Sequence, residues 1–406
     1  MIKRDLYINQ LQSYIGQPII KIITGIRRCG KSVLLMLLKD ALLQSGISDS
    51  HIIYINFESF QYSDITEAKH LYDYVKNIIG DKTGRFYIML DEVQEVNSWE
   101  KAINSFSVDF DVDIYLTGSN SRMLSGELAT YLAGRYIELA MFPLSFKEFL
   151  IFRDSLVSQK EHYYEEFDRF LHLGGFPVIH MGNYTDEESY KIVLDIYSSV
   201  ILRDAVQRNN IRDVELLDRV VKYVFDNIGN KFSAKNVADY FKSQNRKLDL
   251  NTVYNYLNAL ESAFIIYRIP RYDIKGKEIL KTNEKYFVGD QSLVYAVMGY
   301  RDRNISGMLE NIIMLELKRR GFKVFVGKLD NTEVDFIAEK AGRKIYIQVS
   351  YKLSEQSTID REYKPLLEIK DNYPKYVVTM EQNWHDNIDG ILHCNIADFI
   401  LLDSLL

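Results

Sequence analysis

The chain has 406 residues, of which 47% are hydrophobic and 26% charged, a composition typical of a globular protein with two or three domains. Its formal net charge of −6 argues against a protein that coats nucleic acid over its whole surface. No stretch is apolar enough to cross a membrane, and the charged N-terminus does not resemble a secretory signal. Only Cys29 and Cys394 are present, which excludes a disulfide framework and predicts a cytoplasmic protein.

The first 145 residues alternate short apolar strands with amphipathic helices, which predicts a parallel α/β sheet. The predicted strands cover residues 18–24, 51–57, 85–90 and 112–117. The first strand runs into the sequence GIRRCGKS, which fits the phosphate-binding pattern G-x-x-x-x-G-K-[ST], and an apolar helix follows. We therefore predict an ATP-binding loop that comprises Gly25, Ile26, Arg27, Arg28, Cys29, Gly30, Lys31, Ser32 and Val33.

Each part of this loop has a predicted role. The glycines let successive N–H groups point at phosphate oxygens, and the helix N-terminus adds positive charge. Lys31 is predicted to reach the β- and γ-phosphates, and Ser32 to place its hydroxyl on Mg²⁺. We expect the side chains of Arg27 and Arg28 to point outward. The competing interpretation is a glycine-rich turn between two core elements, without a binding function.

The third predicted strand ends in the acidic pair Asp91-Glu92. In a phosphate-loop ATPase, a carboxylate at this place holds Mg²⁺, and we assign that role to Asp91. A neighbouring carboxylate can polarise the attacking water as a general base, which we assign to Glu92. The alternative is a solvated pair of loop acids. Because a phosphate-binding loop precedes the pair, we favour the catalytic interpretation.

The fourth predicted strand ends in small polar residues at the same edge of the sheet. Thr117, Ser119 or Asn120 can sense the γ-phosphate there, and we place Asn120 among the nucleotide-binding residues. The alternative is local turn chemistry, since the sequence GSNS is by itself a turn signal.

The motifs GIRRCGKS, LDEVQ, TGSNS and LAGRYIELAMFPLSF occur in this order, and GGFP, KYFVGD and EVDFIA follow them. As a set they resemble the AAA-type P-loop ATPases of bacteria and archaea that carry a nuclease-like C-terminal domain of unknown function. The resemblance implies an AAA-type P-loop NTPase domain, a helical lid, a winged helix and a restriction-endonuclease-like α/β domain. The corresponding segments are residues 1–145, 146–230, 231–285 and 286–406.

Arg135 fits the arginine of the LAGR motif in the resembled family. The resemblance implies that this arginine approaches the γ-phosphate and stabilises charge in the transition state. It can do so on an adjacent subunit if the chain forms a homo-oligomer. A structural arginine is the equal alternative.

The predicted winged helix has two helices and a strand pair around residues 274–277. Its second helix, NTVYNYLNALE, has no basic side chain, which leaves it poorly equipped for phosphate contact. The wing at residues 268–281 carries five basic residues against two acidic ones, so any contact with DNA is predicted to come from the wing. Packing and protein contacts form the competing interpretation, which we favour slightly.

The last segment has the predicted order helix, three strands, helix and strand, which is typical of PD-(D/E)xK nucleases. Such nucleases need an acid on the second strand, and an acid and a lysine two residues apart on the third. Asp335 fills the first position, and Glu310 can assist from the helix. Gln348 and Ser350 stand where the acid and the lysine belong, which predicts that nuclease activity is lost. Lys352 has the same strand parity and is a candidate replacement.

Together these patterns predict an ATPase that binds ATP and Mg²⁺ and acts as a nucleotide-controlled switch on an unidentified protein partner, without a membrane. Three alternatives stay open: an ATP-binding module with negligible turnover, an ATP-regulated nuclease in defence or mobile-element biology, and a DNA-binding regulator that acts through the wing.

Overall fold

The computed structural model describes residues 2–124, 134–155, 162–243, 248–299, 305–353, 355–382 and 387–405, without the side chains of residues 122, 124, 281 and 282. The chain divides into two compact units. The first comprises the described residues up to Met141 together with Ser262–Phe264, and the second comprises Phe142–Glu261 and the described residues from Ile265 onward.

The first unit contains a parallel five-stranded sheet with the strand order β2-β3-β4-β1-β5. Its strands are β1 (Ile20–Thr24), β2 (Ile52–Asn56), β3 (Phe86–Asp91), β4 (Val112–Gly118) and β5 (Tyr136–Ala140). Its helices are α1 (Asp5–Gln12), α2 (Lys31–Gln44), α3 (Ala68–Ile79) and α4 (Trp99–Asp109). The four strands predicted before residue 120 and their parallel arrangement are confirmed, with bounds that differ by at most two residues.

The strands of this sheet are apolar because both faces are covered. All residues of β1 and β3 are buried, as expected for parallel strands between two helical layers. Helix α3 contributes Leu71, Val75 and Ile79, whose spacing places them on one face of the helix. These side chains join the strand residues in one hydrophobic core.

The parallel direction brings the carboxyl ends of the strands to one edge of the sheet. Thr24 lies opposite Gly118, and Asn56 lies opposite Asp91. The phosphate-binding loop follows β1, and the acidic pair lies at the end of β3. Both predicted parts of the nucleotide site are therefore at the same edge.

The second unit begins with helices. They are α5 (Phe146–Asp154), α6 (Tyr163–Leu173), α7 (Asp186–Val200), α8 (Val214–Asp226), α9 (Ala234–Ser243) and α10 (Leu250–Ser262), and a π-helix at Ile201–Gln207 extends α7. Capping boxes start two of them, from Ser145 to Glu148 and from Thr185 to Glu188. None of the described helices combines the length and the apolar character that a membrane-spanning helix requires.

The remainder of the second unit contains an eight-stranded mixed sheet with the order β12-β13-β11-β10-β9-β8-β6-β7. Its strands are β6 (Ile266–Asp273), β7 (Glu278–Val288), β8 (Lys323–Leu329), β9 (Thr332–Lys340), β10 (Arg343–Val349), β11 (Lys375–Thr379), β12 (Asn387–Ile388) and β13 (Ile391–Asn395). The accompanying helices are α11 (Ser292–Met298), α12 (Ile305–Arg319), α13 (Gln356–Glu368) and α14 (Ile396–Leu401).

The hairpin β6–β7 is continuous with the strands that follow it. Strand β6 pairs in parallel with β8, with Arg271 opposite Val326 and Asp273 opposite Lys328. The sequence analysis did not predict this pairing, because parallel contacts between distant segments leave no local signal. As a result, the predicted boundary between residues 285 and 286 falls inside β7.

The GGFP and KYFVGD motifs meet within the second unit. Asp290 Oδ2 accepts a hydrogen bond of 2.7 Å from the Gly175 amide. A Cβ atom on Gly174 would lie 1.9 Å from Asp290 Oδ1, and one on Gly175 would lie 2.4 Å from the Leu144 carbonyl oxygen. Close packing against these two neighbours therefore explains both glycines.

Candidate functional site

The phosphate-binding loop has the backbone geometry that its glycines allow. A Cβ atom at Gly25 would lie only 2.1 Å from the Met141 carbonyl oxygen. Gly30 has a φ of 107°, which side chains disfavour, and it directly precedes α2. No side chain of the described residues caps this 14-residue helix. Its first-turn N–H groups are therefore open to an anion.

Lys31 is buried at the start of α2 and turns back over the loop. Its Nζ donates to the carbonyl oxygens of Gly25 and Ile26 at 3.1 and 3.4 Å and forms a 3.2 Å ion pair with Glu92 Oε1. Burial opposes the lysine charge, but the charge and hydrogen bond of Glu92, together with the charges of Cys29 and Asp91, outweigh burial and raise the pKa of Lys31. The ammonium is therefore charged at neutral pH.

Asp91 is fully buried at the end of β3. Its two carboxylate oxygens accept hydrogen bonds from Thr117 Oγ1 at 2.5 Å and from the Tyr54 hydroxyl at 3.1 Å. Burial raises the pKa of Asp91, and hydrogen bonds from Thr117 and Ser32 act against that rise. The two predicted metal residues, Ser32 and Asp91, are thus neighbours.

Glu92 has a backbone conformation that is uncommon for a residue with a side chain. Its φ is 56°, and Thr117 Oγ1 accepts a 2.8 Å hydrogen bond from its amide. Burial raises the pKa of its side chain, but Lys31 and a hydrogen bond from Gln94 outweigh burial and lower the pKa to about 2. Glu92 is therefore a carboxylate, held between Lys31 and Gln94.

The two loop arginines point in different directions. Arg28 is exposed, as expected, but the expectation for Arg27 is wrong, because this side chain is 6% exposed and forms an ion pair with Glu58. Glu58 follows β2, so its carboxylate draws the guanidinium inward along the sheet edge. Arg27 also adds positive charge near Glu92 and contributes to its low pKa.

The remaining loop residues support the backbone. Ile26 and Cys29 are buried, and the Cys29 carbonyl oxygen accepts a 2.9 Å hydrogen bond from Arg4 Nη1. Burial also raises the pKa of the Cys29 thiol. Val33 is 43% exposed on α2. Side chains of these residues do not offer groups for phosphate, so only their main chain is available for binding.

The three sensor candidates differ in their contacts. Thr117 contacts both Asp91 and Glu92. Ser119 Oγ accepts a 3.4 Å hydrogen bond from Gln94. Asn120 is buried, and its carbonyl oxygen accepts a 3.2 Å hydrogen bond from the Met123 amide. Thr117 therefore orients the acidic pair, and Asn120 begins the turn that follows β4.

Arg135 lies away from the phosphate-binding loop of its own chain. Its carbonyl oxygen accepts a 2.8 Å hydrogen bond from the Ile20 amide, at the start of β1. The loop follows the opposite end of that strand, at Thr24, about 13 Å further along. The structure therefore does not bring Arg135 together with Lys31 in one subunit. Residues 132–133 of the LAGR motif lie outside the described residues.

Another buried lysine lies in the last part of the chain. Lys285 Nζ is 3.1 Å from Glu310 Oε2, 3.0 Å from Glu333 Oε1 and 3.6 Å from Asp335 Oδ1. Burial raises the pKa of Glu310 to about 8 and that of Asp335 to about 6, and the charge of Lys285 opposes both shifts. Sequence reasoning missed this lysine, although it belongs to the quoted motif KYFVGD.

The candidate replacement lysine does not join this cluster. Lys352 is exposed, with its ammonium over the Tyr351 ring at 5.2 Å. Gln348 Oε1 accepts a 3.2 Å hydrogen bond from the Asp335 amide, as a side chain that supports the sheet. No group of three or more His, Cys, Asp and Glu side chains in the described parts of the chain is arranged to hold a metal ion.

Acidic neighbours balance much of the positive charge of the wing. Lys275 forms an ion pair with Asp330, whereas Asp273, an acid of the wing itself, lies 3.5 Å from Lys328. Arg268 lies 3.5 Å from Glu261. The side chain of the predicted fifth base, at residue 281, lies outside the described side chains. The local net charge is therefore lower than the sequence of the wing alone indicates.

Comparison with known proteins identifies an AAA domain in the first part of the chain. Residues 17–150 match the family described as AAA domain, and residues 164–304 match a domain of unknown function, DUF8612. The chain has the fold of the Walker-type ATPase of Pyrococcus abyssi, with a TM-score of 0.51 and 15% identity over 73% of this chain and 96% of that one.

Two relatives match along most of their length. An uncharacterized protein of Haemophilus influenzae is 39% identical over 99% of both chains. The uncharacterized protein MJ1544 of Methanocaldococcus jannaschii is 31% identical over 90% of this chain and 80% of that protein. The chain therefore belongs to one family with these two relatives, and its residues 17–150 form an AAA domain.

Proposed function

We propose that the chain binds ATP with Mg²⁺, hydrolyses it and uses the nucleotide state as a molecular switch. The observation that carries the proposal is the convergence of Lys31, Ser32, Asp91 and Glu92 at one edge of the sheet, beside an uncapped helix N-terminus. This arrangement supplies a cation and N–H groups for phosphates, oxygen ligands for a metal and a carboxylate for water.

The residues present fit a magnesium ion. Ser32 and Asp91 offer a hydroxyl and a carboxylate, which are hard oxygen ligands of the kind that Mg²⁺ prefers. They are neighbours, so one ion can bind both. When bound, Mg²⁺ neutralises charge on the phosphate oxygens.

The Lys31–Glu92 pair gives the switch a physical basis. In the structure, Lys31 and Glu92 satisfy each other. A triphosphate competes for Lys31, and Glu92 then loses its strongest stabilising charge while it stays buried. Loss of that charge raises the pKa of Glu92 from its low value, which makes the carboxylate a better proton acceptor. Binding of the substrate therefore prepares the base for hydrolysis.

Phosphate release tests this proposal. Wild-type protein is expected to release phosphate from ATP only with Mg²⁺, and Lys31→Ala is expected to bind no ATP, because a fixed cation and its hydrogen bonds are lost. Lys39→Ala is the matched control, since Lys39 lies on the same helix but pairs with Asp49. Turnover by Lys31→Ala at the wild-type rate would contradict the proposal, as would an inactive wild type that does not bind ATP.

We further propose that the last segment is a nuclease-like domain without nuclease activity. The order of α12, β8, β9, β10, α13 and β11 supports the fold assignment. The neutral Gln348 and the ammonium of Lys285 beside Asp335 support the loss of activity, since a second cation at Asp335 would meet repulsion.

Purified protein is therefore expected not to cut single- or double-stranded DNA with Mg²⁺ or Mn²⁺, with or without ATP. The assay follows the loss of full-length labelled DNA. Cleavage that disappears in Asp335→Ala would contradict this part of the proposal and would make Lys285 the candidate catalytic lysine.

A further inference from the structure

Gln94 lies two residues after Glu92, in the short 3-10 turn Val93–Glu95. Its Nε2 donates to Glu92 Oε2 at 2.5 Å, while the other oxygen of Glu92 faces Lys31. The glutamine therefore holds the side of the carboxylate that the lysine does not. The sequence motif LDEVQ includes Gln94, but its pattern alone assigns it no role.

The backbone around Gln94 is arranged to keep it there. The left-handed conformation of Glu92 starts the turn that returns Gln94 to the carboxylate. On the facing strand, a Cβ atom at Gly118 would lie 1.6 Å from Met123 Sδ and 2.6 Å from Gln94 Oε1, so glycine leaves room for both side chains. The left-handed backbone of Glu92 has a local cost that a purely space-filling glutamine does not explain.

The carbonyl oxygen of the Gln94 side chain, Oε1, indicates a bound donor. Gln94 Oε1 is buried and accepts no hydrogen bond from any residue that the structure describes. A buried acceptor without a donor is unfavourable, so a donor from outside the protein is expected there. Beside the carboxylate of the base, a water molecule supplies such a donor.

We propose that Gln94 is a positioning residue for hydrolysis: its N–H group orients Glu92, and its carbonyl oxygen holds the attacking water. This inference rests on the proposed ATPase function. The water oxygen forms the new bond to the γ-phosphorus while the bond from that phosphorus to the bridging oxygen breaks, and ADP keeps the electron pair. One proton of the water passes to Glu92, and the other stays hydrogen-bonded to Gln94.

Two variants of Gln94 separate positioning from folding. Gln94→Leu removes the hydrogen bond to Glu92 and the proposed one to the water. It is expected to lower kcat by up to about 10²-fold, with an unchanged Kd for ATP. Gln94→Glu keeps the shape but places a second carboxylate beside Glu92, which raises the pKa of the base. Its loss of activity is therefore expected to be larger at pH 6 than at pH 8. Gln61→Leu, an exposed glutamine in a different turn, is the control.

The outcomes distinguish this inference from the proposed function. Wild-type kcat in Gln94→Leu, or equal losses of Gln94→Glu at both pH values, would overturn the positioning role. If Gln94→Leu does not fold, the activity of Gln94→Glu at pH 6 and pH 8 tests the positioning role by itself. An inactive Glu92→Gln protein beside fully active Gln94 variants would overturn only this inference. A fully active Glu92→Gln protein would overturn both.

Discussion

Lys31 in the first unit and Lys285 in the second are both buried against carboxylates, and their surroundings differ. Lys31 meets one carboxylate, Glu92, and two carbonyl oxygens of its own loop. Lys285 meets three carboxylates, which come from helix α12 and strand β9. The first site is balanced in charge, whereas the second has more negative than positive groups.

The backbone around Lys31 also differs from the backbone around Lys285. Lys31 starts a helix whose first N–H groups have no side-chain cap, so an anion gains further donors there. Lys285 lies within a strand, where the sheet already uses the backbone groups. A triphosphate can therefore replace Glu92 at the first lysine, but at the second it would meet repelling carboxylates. A buried lysine indicates a phosphate site only when the groups around it have room for an anion.

The largest expected effect on activity concerns a second cation beside Lys31 at the nucleotide site. Lys31 neutralises charge in the bound substrate, but the transition state spreads charge over the phosphoryl oxygens. If Arg135 of an adjacent subunit supplies the second cation, Arg135→Ala is expected to bind ATP normally and to hydrolyse it about 10³-fold more slowly. Phosphate release and ATP binding, measured on the same protein, check this expectation.

Mixing experiments identify the subunit that supplies the arginine. Arg135→Ala mixed with Lys31→Ala is expected to recover part of the activity, because some interfaces then contain both intact parts. No recovery, together with a wild-type rate that does not depend on protein concentration, would speak against a shared site. Unchanged turnover in Arg135→Ala would return the residue to a structural role.

The second lysine is expected to matter for stability rather than for ATP. Lys285→Met leaves buried carboxylates without their cation, and breaking such a pair typically costs about 3–5 kcal/mol. We expect a lower urea midpoint by circular dichroism and an unchanged Kd for ATP in the folded protein. Lys344→Met, beside Glu339 at the surface of the same sheet, is the control with a small effect. Loss of ATP binding in folded Lys285→Met would break the comparison.

The smallest effect on the protein itself is expected from the exposed lysines of the wing, which lie outside both lysine sites. If the wing binds DNA, its contacts are with phosphates, and the affinity falls steeply with salt. Charge reversal at Lys275 and Lys277 is then expected to remove most of the binding in a fluorescence-anisotropy titration. Substitution of the exposed Tyr254 on α10 is expected to change it much less. The reverse ranking would mean that α10 reads base edges.

The sheet and the loop that carry the candidate nucleotide site could be predicted from the sequence because their parts are local. The loop and the acidic pair each occupy a few consecutive residues, and the parallel sheet that joins them follows from alternating strands and helices. These local sequence patterns did not predict the directions in which side chains point. Arg27 turns inward because Glu58 follows a different strand, and Gln94 reaches Glu92 because of a left-handed backbone.

The second lysine could not be predicted in the same way. Lys285 and Asp335 are brought together by strands that are distant in the sequence, through the pairing of β6 with β8. Lys352 shares the parity of Ser350 on the third nuclease strand, whereas Lys285 comes from the hairpin β6–β7. The alternation of side chains describes the two faces of one strand. The cluster around Lys285 depends instead on the register between different strands.

The most direct test of the account measures ATP affinity and phosphate release in Glu92→Gln. This change removes the proton acceptor and the partner of Lys31 but keeps the shape of the side chain. We predict ATP affinity at least equal to that of the wild type and turnover that is lower by about 10²–10⁴-fold. Glu92→Gln that hydrolyses ATP at the wild-type rate would contradict the assignment of the base and the switch built on it.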